Sequence, residues 1–520
     1  MPRDKLNQNG MKRTLLSVFL AASLLAAAPK KPKLVVAITI DQFRYDYLTR
    51  FRTEYTAGFD RLLTKGAVFT NANYIHFPTV TAVGHSTYLT GATPSVSGIV
   101  GNDWFDRQEG KHVTSVSDSQ TRMLGGSPIE GASPHRMLVS TIGDELKMAH
   151  GGTSHVIGIS LKDRAAILPV GHMANAAYWF DLNTGNFVSS TYYFPELPAW
   201  AKEFNNGRPA EKYRGIDWLG HKLPTDLKQL YGTSDHSPLE ASPFGNELIE
   251  MFAERALAAE QLGKHDSPDL LAVSFSSNDK AGHDYGPYSA EEHDITVRTD
   301  RMLDQLFQAI DRQVGLDNVL IVLTGDHGVA PSPEEDAANH MPGGRLPGDS
   351  AKNAVQASLA KKYGEGRWVE GSWDLEIYLN YDLIAKKNLD PAEVRRQAAE
   401  AVYGVPHIQR VYTRDQLLTG AVPGDETSRR MMNGFNVRRG ADIEFLPEPY
   451  WLFTKDATTH GTTFSYDAHV PVIFMGQGIR AGRYLASVAV NDIAPTLATI
   501  LEVETPSGSV GRVLAEMFAQ

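Results

Sequence analysis

Four short segments carry side chains able to hold a cation or an anion. Asp41 stands directly after the apolar run 34–40, and Asp279 and His283 share the stretch Ser276-Ser277-Asn278-Asp279-Lys280-Ala281-Gly282-His283. Asp326-His327-Gly328 comes just after the run 319–323, and Lys162 and Arg164 come just after the run 156–160. Hard carboxylate oxygens mixed with imidazole nitrogens form a donor set that suits zinc. Completing two such sites needs a further His. His460, in Ala457-Thr458-Thr459-His460-Gly461-Thr462, is the best placed, because it precedes the last apolar run. His469, flanked by Ala468 and Val470, reads as a residue behind the ligands or in the core, and His340 reads as part of a surface loop.

Each segment alone has a plainer explanation: Asp41 as a helix cap, Asp326-His327-Gly328 as a solvated turn, Asp279 with His283 as one exposed helical turn. Independent turns have no reason to place such ligands repeatedly at one edge, so the joint pattern favours a metal centre. A hydroxyl nucleophile is available in Phe77-Pro78-Thr79-Val80-Thr81-Ala82-Val83-Gly84-His85-Ser86, where Thr and small residues suggest a helix N-terminus facing an anion. An ordinary Thr cap fits that local pattern too. A hydroxyl is a poor nucleophile at neutral pH until a cation stabilises its alkoxide, so the two features make chemical sense together.

The elements that must position these residues are short runs rich in Val, Ile and Leu: 34–40, 156–160, 270–275, 319–323 and 470–475. Continuous apolar character suits strands covered on both faces, as in a parallel sheet. Between them lie helical patterns, the clearest from His293 to Val314 with Leu303, Leu306, Phe307 and Ile310 on one face; Asp390-Pro391 opens another. This alternation predicts a three-layer α/β/α sandwich around a central, mostly parallel sheet, with ligands beyond the carboxyl ends of the strands. Long stretches at about 104–155, 178–243 and 340–458 read as insertions over that end of one catalytic unit, 29–520.

The formal net charge of -11 argues against a general nucleic-acid or anionic-membrane surface, so any phosphate binding must be local. Cysteine is absent, which removes disulfides, thiolate ligands and a thiol nucleophile. Residues 1–28 hold Met11-Lys12-Arg13, a short apolar run and Ala26-Ala27-Ala28, the layout of a signal peptide whose true start could be Met11. The apolar run is short for a span of roughly 20 residues. Export to the periplasm or medium is expected, with no membrane association after cleavage, and a monomer is favoured.

Taken in order, Ile40-Asp41-Gln42, Pro78-Thr79-Val80-Thr81, Gly101-Asn102-Asp103-Trp104, Ser160-Leu161-Lys162-Asp163-Arg164, Asp279 to His283, Asp326-His327-Gly328 and Thr458-Thr459-His460 resemble the alkaline phosphatase superfamily, specifically its bacterial threonine-nucleophile phosphatases. The resemblance covers nearly the whole chain after the signal peptide. It implies two Zn2+ ions, one held by Asp279, His283 and His460. The other would be held by Asp41, Asp326 and His327, with Thr81 as nucleophile beside it and among its ligands. Thr81 is preferred to Thr79 by its spacing to Asn102, and Asn102, Lys162 and Arg164 match the phosphoryl-oxygen contacts. An extra structural Ca2+ or Mg2+ is left open. The implied activity is hydrolysis of small phosphate monoesters through a phosphothreonine, with broad specificity.

The nearest alternative is a phosphodiesterase or nucleotide pyrophosphatase on the same scaffold. A diester carries a second organic group and one negative charge, whereas a monoester site wants extra cationic donors, which Lys162 and Arg164 supply. A sulfatase would need Cys or Ser in a Cys/Ser-x-Pro-x-Arg pattern, and Thr81 is followed by Ala82-Val83-Gly84. A non-catalytic binding protein would show metal affinity without turnover.

Overall fold

The computed structural model describes residues 31–234 and 236–519, so the segment expected to direct export lies outside the described residues. Along the chain, the elements that position the site are β1 (Leu34–Ile40), β2 (Ala67–Asn73), α1 (Thr81–Thr90), β3 (Val156–Ile159), β4 (Ala176–Asp181), β5 (Asp269–Phe275), α2 (Ser277–Tyr285), α3 (Ala290–Val314), β6 (Val319–Gly325), β7 (Val369–Trp373), β8 (Glu376–Leu379), β9 (Ile408–Thr413), β10 (Ile443–Pro447) and β11 (His469–Gly476). Strands β6, β1, β5, β3 and β4 lie side by side, all parallel. Every residue of β1, β5 and β6 is buried, which is why these runs are apolar throughout instead of alternating.

The two faces of the sheet feed two separate cores. Leu34, Val36, Ile38 and Ile40 of β1 pack with Leu303, Leu306 and Phe307 of α3, while Val35 and Ala37 pack with Ala82, Val83 and Leu89 of α1. The strand's period of two thus builds the three layers. Helix α3 covers the span read from the sequence and starts three residues earlier, at Ala290, where the Ser289 side chain accepts a hydrogen bond from the Glu292 N–H.

The sheet is less parallel than expected. Its 12 strands form a mixed sheet in which the parallel centre is flanked on both sides by antiparallel pairs. Strand β11, expected among the parallel strands, runs antiparallel to β6. The cause is where the chain enters it. The short helix Ser465–Ala468 lies at the carboxyl edge of the parallel strands, with the Gly328 N–H donating to the Asp467 carbonyl, so β11 starts at that edge and can only run back.

Within 340–458, β7, β8, β10 and β9 form a separate four-stranded antiparallel sheet with its own core of Ile377, Val394 and Phe445. The helix Pro391–Tyr403 in this segment is capped by Asp390, which accepts from the Ala392 N–H. The segment 178–243 begins inside β4, and the helix Ile142–Ala149 within 104–155 contributes Ile142 and Leu146 to the core around α1. Among the described residues no helix is long and apolar enough to cross a membrane.

Candidate active site

Register alone brings three chain segments to one edge. Ile40, the last residue of β1, lies opposite Phe275 of β5 and Gly325 of β6. Asp41 and Asp326 therefore emerge together, and Asp279 sits in the first turn of α2 with His283 one turn further on. Strand β3 stops at Ile159 opposite Val273, two residues short of the end of β5, which lets Ser160-Leu161-Lys162 reach inward.

The structure brings together two groups that could hold a cation, Asp279 with His283 and His460, and Asp41 with Asp279 and His327. Asp279 thus faces both groups, and Asp326 joins the second through its Oδ2, 3.4 Å from His327 Nε2. All three imidazoles are oriented in one way. His283 Nδ1 donates to the Thr458 carbonyl (3.0 Å), His327 Nδ1 to Gly328 (2.9 Å) and His460 Nδ1 to Thr79 (2.8 Å). Each Nε2 lone pair is then turned toward the carboxylates.

Asp41 Oδ1, Asp326 Oδ2 and His327 Nε2 are all buried and make no hydrogen bond. Converging buried acceptors cannot satisfy one another, so this donor set fits a divalent cation. Burial holds His327 down to about 3, which keeps the ring neutral. Burial opposes ionisation of Asp279, but the Lys162 ammonium and His283 override it and hold the carboxyl well below its usual range. Burial also opposes ionisation of Asp326, and His327 and His85 override it in the same direction. Asp41 is pushed well up by burial and by the neighbouring Asp326.

The expected phosphoryl contacts are placed differently from one another. Lys162 Nζ lies 2.6 Å from both Asp41 Oδ2 and Asp279 Oδ2, inside the ligand cluster. The guanidinium of Arg164 makes no hydrogen bond among the described residues, and its nearest carboxylate, Asp163, is 3.8 Å away. Asn102 Oδ1 accepts from the Ala82 N–H (2.8 Å), in the first turn of α1, which fixes its side chain beside Thr81.

The two threonines separate by geometry. The Thr79 hydroxyl donates to the Thr462 carbonyl (2.8 Å), and its own carbonyl accepts from His460. Thr81 opens α1, and its hydroxyl makes no hydrogen bond among the described residues. Gly84, on the same helix, lies so close to the Asp326 backbone that no Cβ fits between them. Two neighbours of the ligands had no role in the sequence reading. Gln42 donates from its backbone N–H to Asp326 Oδ1 (3.0 Å) and from Nε2 to Asp279 Oδ1 (2.8 Å), joining both groups. His85, fully buried, places Nδ1 2.9 Å from the Thr81 carbonyl and 3.2 Å from Asp326 Oδ2. The available signals were adjacency to Asp41 for Gln42, and for His85 a polar side chain one turn beyond Thr81. His340 is exposed, and His469 stacks on Tyr45 with Nε2 3.0 Å from the Thr70 carbonyl.

The family described as type I phosphodiesterase / nucleotide pyrophosphatase matches residues 35–469, a span that contains all these segments. The chain belongs to that family, within the alkaline phosphatase superfamily. Alkaline phosphatase PafA of Elizabethkingia meningoseptica is 35% identical, over 98% of this chain and 99% of that one. Alkaline phosphatase PhoV of Synechococcus elongatus is 36% identical, over 94% and 93%. A crystal structure of wild-type PafA covers 95% of this chain and 100% of that one, at 34% identity and a TM-score of 0.87. As a member of this family, with alkaline phosphatases among its relatives, the chain is a phosphoric ester hydrolase.

Proposed function

We propose that the chain is an exported, zinc-dependent alkaline phosphatase that hydrolyses phosphate monoesters through a phosphothreonine on Thr81. The observation that carries this reading is the Thr81 hydroxyl, uncommitted at the N-terminus of α1 beside buried acceptors that converge without partners. Asp41, Asp326 and His327 would hold one ion and Asp279, His283 and His460 the other, with Asp279 near enough to serve both. When bound, such a pair supplies Lewis-acid stabilisation of the attacking and leaving oxygens of an in-line displacement.

The chain's own residues do the rest. Asn102 and the Ala82 N–H hold the start of α1 in place, and the helix terminus favours the incoming anion. Arg164 offers its unspent donors to the phosphoryl oxygens. The Thr81 hydroxyl loses its proton to water, Oγ forms a bond to phosphorus while the bond to the leaving oxygen breaks, and the leaving oxygen takes up a proton from water. Water then attacks the phosphothreonine, releases inorganic phosphate and restores the hydroxyl.

The family description keeps diester hydrolysis as the second reading. The test is the ratio of kcat/KM for an aryl phosphate monoester and diester at alkaline pH, with zinc-loaded and chelator-stripped protein side by side. Zinc-dependent preference for the monoester is the expected result. Diester preference moves the chain to the phosphodiesterase branch, and absence of zinc-dependent turnover on both overturns the reading.

A further inference from the structure

A cavity of about 260 Å³ opens beside His460 and is walled by Asp349, Ser372, Asp374, Trp451 and Phe453. No lysine or arginine lines it, so its charge is opposite to that expected of the phosphoryl site next door. Asp374 sits in the turn between β7 and β8 at φ 51, and its Oδ2 lies 3.6 Å from where a Cβ on Gly101, next to Asn102, would stand. It makes no hydrogen bond or ion pair among the described residues. Asp349, at the rim, is 3.4 Å from Lys352 Nζ, whereas Asp374 has no direct ion pair and feels positive charge only from His460 and Arg164 beyond contact distance. The Trp451 wall is rigid: its indole stacks on His407 at 3.3 Å, and Gly344 packs on the ring.

We propose that this cavity receives the leaving group, and that Asp374 selects leaving groups bearing a protonated amine over those bearing a negative charge. The inference rests on the monoesterase reading above. In that reading Thr81 attacks from the side of Asp41, Asp326 and His327, so Asp279, His283 and His460 would hold the ion that stabilises the leaving oxygen, and the organic group would depart on the side of the cavity that His460 lines. A cationic site beside an anionic cavity complements a zwitterion, with phosphate at one end and ammonium at the other. Aminoalkyl phosphates have that form. Because the ammonium is held in both the ground state and the transition state, the effect falls on kcat/KM.

The test compares 2-aminoethyl, propyl and 2-carboxyethyl phosphate on the zinc-loaded enzyme at pH 8. In the wild type, kcat/KM should fall in that order, with the amine favoured over the carboxylate by about tenfold or more, as one partly screened charge pair allows. Asp374→Asn should collapse that ratio toward one. Asn tolerates positive φ, and Asp374→Gly, which suits the turn still better, serves if the first variant melts early. A wild-type ratio near one with propyl phosphate still hydrolysed overturns the proposal alone, as does a ratio unchanged in both variants. Loss of zinc-dependent turnover on all three esters overturns the monoesterase reading with it.

Discussion

Two regions bury carboxylates, and they differ in the positive charge around them. At the sheet edge, imidazoles and Lys162 override burial to hold Asp279 and Asp326 down, while burial and the Asp326 charge push the adjoining Asp41 up. In the small antiparallel sheet, Glu376 and Glu444 face each other as register partners across β8 and β10 with 2% and 1% exposure. There Glu444 Oε2 has no partner, and Tyr378 donates to Glu376 through a long 3.4 Å contact. Burial pushes Glu444 up to about 8, and burial with the repulsion of Glu444 pushes Glu376 well above its ordinary value. A buried acid becomes a metal ligand only where its surroundings supply positive charge or lone pairs aimed at a shared point. Without these it keeps its proton.

Substitutions in the first region should act on turnover and metal content, and those in the second on the pH dependence of stability. The largest effect is expected for Thr81→Ala, which should lower kcat by about 10³-fold or more and abolish phosphothreonine labelling with zinc content unchanged. Loss of zinc in this variant would make Thr81 a structural ligand above all. Next, Asp279→Asn should deplete zinc from both sites, read by elemental analysis, because its carboxylate faces both groups; depletion of a single ion would show that it serves one. Arg164→Ala should lower monoester kcat/KM by about 10²-fold and diester hydrolysis by less than tenfold, since its charge matters most to the dianion. Equal losses on the two esters would detach Arg164 from monoester preference.

The smallest effect sharpens the contrast most. The folded value of Glu444 lies above its unfolded value of about 4.3, so its contribution to stability is fully present below that pH and lost as pH rises through about 8. Glu444→Gln should therefore raise the melting temperature relative to wild type at pH 9 and change it little at pH 5. An equal shift at both would mean that the pair is not a proton store.

Much of this arrangement is legible in the sequence because strand ends are. The fully apolar runs of β1, β5 and β6 locate a buried parallel centre, and the residues just after each run must emerge at one edge. The direction of β11 was not legible, since its composition matches a parallel strand and only the side from which the chain enters it differs. Spacing also could not reveal that Asp279 faces both ligand groups, or that Gln42 joins them, because those facts depend on side chains meeting across 237 positions of chain. The Glu376–Glu444 pair was hidden for the opposite reason. Each Glu sits in a short strand buried along its whole length, and only the register of β8 against β10 sets them face to face.

The contact between Gly84 and the backbone of Asp326 has a consequence for how such an enzyme diverges. A seam made of main chain has no side chain to trim or lengthen, so point substitution has no fine adjustment of the gap between the helix that Thr81 opens and the strand end that carries Asp326. The cavity beside Asp374 is lined by side chains from several strands and the loops between them, and it can be recut one residue at a time. On the proposed function the seam is a fixed gauge for the reaction, and leaving-group preference is the dimension in which descendants are free to drift.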